Sequence, residues 1–104
     1  MRTGLLTVLT VLCLLAGAAL AEDSLRGRTI AAACFGCHGP GTASGAAIPP
    51  IILGAPAPVI EKALKSFRDG RRPSTIMQRI AKGYSDADIA AVARYFAGME
   101  GEGQ

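Results

Sequence analysis

The chain opens on an uncharged, largely apolar run, residues 5–20, behind a single charge at Arg2. A positive start, an apolar stretch and the small-residue pattern Ala19-Leu20-Ala21 predict a secretory leader cleaved after residue 21. The run is short and ends in small residues, which favours a removable leader over a permanent membrane anchor. Cys13 lies within it behind Leu12, where a lipoprotein signal needs a small residue, so no lipid anchor is expected.

Beyond residue 21 the pattern changes to a helical period. Asp23 or Ser24 is placed to cap a first helix running through Leu25, Ile30 and Ala31. Gly27 and Ala31-Ala32-Ala33 lack bulk, which suits close approach by another helix, and Gly36, Gly39, Pro40 and Gly41 end the element. Residues 39–56 are rich in Gly, Pro and Ala without a 3.6-residue period, and read as a loop. Pro58 fits the first turn of a second helix with Ile60, Leu64 and Phe67 as its apolar stripe, stopped at Gly70. Residues 71–84 form a second connection with room for one short helical turn. Ser85-Asp86-Ala87-Asp88 resembles a capping box opening a last helix, whose apolar face is Ile89, Val92, Ala93 and Phe96 and whose end is Gly98. No strand pattern or repeat is evident. The expectation is an all-α domain, residues 22–104, of three to four helices joined by glycine-rich loops.

Composition sharpens this. The 50% hydrophobic content of the 104 residues is inflated by the leader, and removing 21 residues leaves 83 with no Trp, two Tyr and three Phe. So small a domain generally needs a disulfide, a metal or a cofactor to fold. With Arg2 gone, ten Lys and Arg face eight Asp and Glu. Seven of the ten basic residues (Lys62, Lys65, Arg68, Arg71, Arg72, Arg79, Lys82) crowd between residues 61 and 82, whereas Asp86, Asp88, Glu100 and Glu102 outweigh Arg94 after them. This is either an ordinary solvated face, or a means of neutralising cofactor acids, or of steering an acidic partner. Nucleic acid is not an expected partner, because no aromatic residues interleave the basic ones and the chain is exported.

The chemistry is concentrated in Cys34-Phe35-Gly36-Cys37-His38, the pattern of covalent c-type haem attachment. Positions i, i+3 and i+4 share one helical face, so both sulfurs and the imidazole can meet one macrocycle. The two thiols add to the haem vinyl groups and the imidazole becomes an axial iron ligand. A zinc site needs four ligands, but outside the leader there are two Cys and the sole His. A thioredoxin-like site wants a βαβ pattern, and a plain disulfide gives no reason for His38 to follow Cys37. One haem c per chain is therefore expected, and it would supply the apolar volume the domain lacks.

A histidine-ligated haem leaves one axial position. Met1 departs with the leader, so Met77 and Met99 remain. Met99 falls in a charged tail. Met77, in the connection before the last helix, is the expected sixth ligand, with ordinary gap-filling as its other reading. Histidine–methionine ligation closes the iron to substrate and suits single-electron transfer. A sensor or ligand-binding enzyme, by contrast, needs an open iron and therefore Met77 off it.

With these residues in place the chain resembles a class I cytochrome c over nearly all of residues 24–98. Pro50 followed by Ile52 and Gly54 resembles that family's proline loop, whose carbonyl accepts a hydrogen bond from the ligand histidine, and Tyr95-Phe96 the aromatic pair that packs the last helix on the first. The resemblance implies His38 and Met77 as iron ligands, Cys34 and Cys37 as haem attachment points and Pro50 as the partner of the His38 ring. Residues 67–72 and 75–86, ending in Gly83-Tyr84-Ser85-Asp86, are most similar to the cytochrome subunit of flavocytochrome c sulfide dehydrogenase. That implies a non-catalytic periplasmic haem subunit taking electrons from an FAD-containing sulfide dehydrogenase subunit and passing them to a downstream cytochrome. The alternative is a free soluble monohaem carrier between respiratory or photosynthetic complexes. Phe35 reads equally as a residue of the exposed haem edge or as peripheral packing.

Overall fold

The computed structural model describes residues 1–39 and 52–99. Four helices follow in order: α1 (Arg2–His38), α2 (Ala57–Arg68), α3 (Met77–Ala81) and α4 (Asp86–Ala97). Among the described residues there are no strands.

The first departure from expectation is α1, a single 37-residue helix that joins the leader to the domain and takes no cap from Asp23 or Ser24. The physical reason lies in the join. Between Ala18 and Arg26 there is neither proline nor glycine, so nothing breaks a backbone already helical on both sides. Asp23 instead receives both arms of the Arg94 guanidinium from α4, at 2.7–3.0 Å.

α2 begins one residue earlier than expected, at Ala57, with Pro58 in its first turn as anticipated. Gly70 ends that region with φ of +75°, a left-handed conformation that a side chain would strain. The capping box of α4 forms as read: the Asp88 N–H donates to Ser85 Oγ at 3.2 Å, and the Ser85 N–H donates to Asp88 Oδ2 at 3.0 Å. These bonds hold the Asp88 carboxyl below its ordinary range, with the Ser85 backbone donor the largest cause. Stability from this carboxylate is present above the ordinary carboxylate pKa and is lost as pH falls through the depressed folded value. Ser85→Ala should cost about 1 kcal/mol, read as a lower midpoint of thermal unfolding at neutral pH.

Packing runs as a chain: α1 on α4, α4 on α2, α2 on α3. The α1–α4 crossing is tight. Gly27 and Ala31 are buried there, and a Cβ built on Gly27 would fall 2.5 Å from the Ala91 carbonyl oxygen. Ala32 and Ala33, the rest of the small-residue run, are exposed. Arg26–Asp88, 3.4 Å, and Asp23–Arg94 flank the crossing. The core combines Ala31, Leu53, Ile60, Val92, Ala93 and Phe96, with Phe96 99% covered. Residues 2–21 of α1, by contrast, are exposed throughout, and the helix is long and apolar enough to cross a membrane.

Candidate functional site

The final turns of α1 carry Cys34, Cys37 and His38, so the helical spacing that the motif requires is present. Their surroundings differ. His38 is buried, Cys34 is half-buried with its thiol donating to the Ile30 carbonyl at 3.5 Å, and Cys37 is exposed. Burial, and secondarily the neighbouring Cys37, push the Cys34 thiol above its ordinary pKa. The motif thus rests one shoulder on the core and turns the other outward. Phe35 is partly buried and meets Phe96 edge to face, ring centroids 5.6 Å apart, so it packs the haem motif against α4. Tyr95 meets Phe96 at 6.1 Å within α4, and it is the Phe35–Phe96 contact that joins the last helix to the first.

Met77 is the first residue of α3 rather than part of a loop, and it is half-buried. The Gln78 N–H donates to Ser74 Oγ at 2.8 Å, and Ala81, fully buried, anchors the other end of this one-turn helix. Among the described residues α3 packs on α2 and not on α1, so His38 and Met77 stand on elements that the polypeptide leaves apart. Beside Met77, Ile76 and Ile80 remain 58% and 39% exposed. Apolar side chains left bare next to a thioether, and a separate helix end bearing two thiols and an imidazole, are the donor set and lining that a haem requires. The residues present fit that group. Pro50 lies outside the described residues. Met99, the rejected alternative, packs at the edge of the core.

Much of the basic segment is already matched within the domain. Arg68 pairs with Asp86 at 2.7 Å and Asp69 at 3.2 Å, Arg71 with Asp69 at 3.0 Å, and Lys65 with Glu61 at 3.5 Å. Arg72 lies over the Phe67 ring, 4.6 Å from its centroid. Only Lys62, Arg79 and Lys82 of the seven lack such a partner among the described residues. The Arg68 hydrogen bond, then its charge, hold the Asp86 carboxyl below its usual range, with Lys65 adding to the effect. Sequence reading placed Arg68 among seven like charges. Its particular role is set by a partner eighteen residues away, which no local pattern signals.

Residues 21–96 match the family described as cytochrome c oxidase, cbb3-type, subunit III, a cytochrome c domain. The chain belongs to this cytochrome c family. Its relatives extend the point. It is 42% identical over 74 residues to the cytochrome subunit of sulfide dehydrogenase of Chlorobaculum tepidum, covering 71% of this chain and 66% of that one. It is 35% identical to cytochrome c-554(548) of Halomonas halodenitrificans over 77% of this chain and all of the relative. The thiosulfate dehydrogenase electron acceptor of Stutzerimonas stutzeri is 40% identical over 64% of this chain, which spans only 32% of that larger protein. The cytochrome is therefore an all-α member of an electron-transfer family whose cofactor is covalently attached haem c.

Proposed function

We propose that this cytochrome is a periplasmic single-electron carrier acting as the haem subunit beside an FAD-containing sulfide dehydrogenase subunit. The observation that carries the reading is the 42% identity to a sulfide dehydrogenase cytochrome subunit, which spans most of the domain. Residues 1–21 form the leader and are removed on export, leaving 22–104 as the cytochrome domain without a permanent anchor. Residues 2–21 add nothing to the core, so the domain can part with them.

The Cys34 and Cys37 sulfurs would hold the haem by thioether bonds, with His38 and Met77 as the residues that would ligate its iron. Haem iron contributes reversible one-electron exchange between its ferric and ferrous states. The polypeptide's work is to keep both axial positions filled, so that no substrate binds and oxidation state is the only thing that changes. Burial of His38 supports a fixed imidazole. Flavin chemistry belongs to the partner, because this chain has no dinucleotide-binding fingerprint. A downstream cytochrome receives the electron.

Two measurements test this. Met77→Ala should abolish the thioether-to-iron charge-transfer band of the ferric protein and admit carbon monoxide to the ferrous iron. Persistence of the band in that variant, with its loss in Met99→Ala, transfers the ligand role to Met99. Isolation from the native periplasm should bring down a flavoprotein, and sulfide should reduce the haem only when that flavoprotein is present. The match to all of cytochrome c-554(548) favours a second reading, a free monohaem carrier. Elution alone, with no sulfide-dependent reduction in the native extract, selects it.

A further inference from the structure

We propose that Arg68 is a positioning residue that clasps the Met77 segment closed and thereby sets how firmly the thioether stays on the iron. The proposal rests on Met77 being the sixth ligand, as proposed above. Arg68 is the last residue of α2, and its side chain reaches three acceptors. Its Nε meets Asp69 Oδ1 at 3.2 Å, its Nη1 meets Asp86 Oδ1 at 2.7 Å, and Nη1 also approaches the Tyr84 carbonyl at 3.4 Å. Asp69 begins the segment that carries Met77; Tyr84 and Asp86 end it. One side chain therefore spans both ends of residues 70–85.

Exposed ion pairs are usually worth little, because two long side chains must be immobilised in a high dielectric. Arg68 differs in three respects. Its side chain is only 25% exposed. The guanidinium is a rigid planar fork, so satisfying three acceptors fixes where they lie relative to one another. Both helix ends favour the charges they bear, a cation closing α2 and an acid opening α4. The mechanical consequence falls on the loop. Fixing its ends removes closure entropy that the Met77–iron bond would otherwise oppose alone.

Neighbouring charges provide the contrast. Among the described residues Arg71, 68% exposed, pairs with Asp69 alone, at the near end of the segment. Arg72 rests on Phe67 of α2, also at the near end. Neither bridges the two ends.

The test uses the mature holoprotein and free imidazole as the probe, titrated against the ferric form. Imidazole displaces a weakly held thioether, so its apparent affinity reports how firmly Met77 is kept in place. Arg68→Ala should bind imidazole roughly three- to tenfold more tightly than the parent protein, the range expected for losing a part-exposed charged hydrogen-bond network. It should also show a weaker thioether charge-transfer band. Arg68→Lys should fall between the two, since a single ammonium cannot span all three acceptors, and Arg71→Ala should match the parent. Equal imidazole affinity in Arg68→Ala and the parent, or an equal change in Arg71→Ala, overturns the proposal. Should Arg68→Ala not fold, Asp86→Asn removes only the charge of the far partner and leaves the Tyr84 carbonyl in place. It should shift affinity in the same direction by less, and an unchanged affinity there refutes the clasp. Met77→Ala separates the two layers. A retained band in that variant removes the ligand assignment and the clasp together, whereas a lost band with an unresponsive Arg68→Ala removes the clasp alone.

Discussion

Cys34→Ser combined with Cys37→Ser should leave residues 22–104 without covalent haem and without a cooperative unfolding transition. The argument is one of volume. Among the described residues the buried apolar set is Ala31, Leu53, Ile60, Ala81, Ile89, Ala91, Val92, Ala93 and Phe96, and four of those nine are alanine. Phe96 and Ile89 are the largest side chains fully withdrawn from water. So alanine-rich a core is small for a domain of this length, which generally needs a cofactor, a metal or a disulfide to fold. A haem is a far larger apolar body than any side chain in this list. On the proposed ligation it would also join α1, which ends at His38, to α3, which begins at Met77, two elements that do not pack together among the described residues. Far-ultraviolet circular dichroism and a thermal melt of the double variant read the outcome, with haem staining after denaturing electrophoresis to confirm its loss. Native-like helicity with a sharp melt in the haem-free chain would show that the polypeptide core suffices by itself.

How much of this was visible in the sequence depended on how local the determining interaction is. The capping box at Ser85 and Asp88 and the proline in the first turn of α2 are contacts within four residues, and both form as read. The haem motif is equally local, so its helical register was legible from five residues. Gly27 was recognised for its lack of bulk, but its neighbour across the helix crossing emerged only from the packing. One reading failed for the opposite reason. The first helix was expected to start at a cap, yet the leader supplies a continuous helical run that makes a cap at Asp23 or Ser24 unnecessary. Asp23 has its partner seventy-one residues away, at Arg94. The basic segment left a solvated face, cofactor neutralisation and partner steering open, and the structure shows most of it matched by Asp69, Asp86, Glu61 and the Phe67 ring. Charge runs disclose composition; which charges remain for a partner is decided by tertiary pairing.

Gly27→Ala provides the second large effect, and its sign runs against ordinary helix propensity. In an open helix the change would stabilise by about 0.8–1.0 kcal/mol, because alanine has less backbone freedom to lose. Here the added Cβ meets the Ala91 carbonyl oxygen at 2.5 Å, its carbon at 3.0 Å and the Tyr95 Cβ at 3.1 Å. Two of those three atoms belong to the α4 backbone, so no rotamer change relieves the overlap. The helices must separate. Separation loosens Ala31 and Phe96 from the core and weakens the Phe35–Phe96 contact that holds the haem motif against α4. Overpacking of this kind costs about 1–3 kcal/mol and more when backbone has to move, enough to reverse the propensity gain. Chemical denaturation of the holoprotein should therefore give a lower midpoint for Gly27→Ala and a lower one again for Gly27→Val. The loss should be greater than for Ser85→Ala, whose capping bonds lie at the exposed end of α4. A midpoint at or above that of the parent would mean that α1 and α4 lie farther apart in solution than the Gly27–Ala91 contact requires.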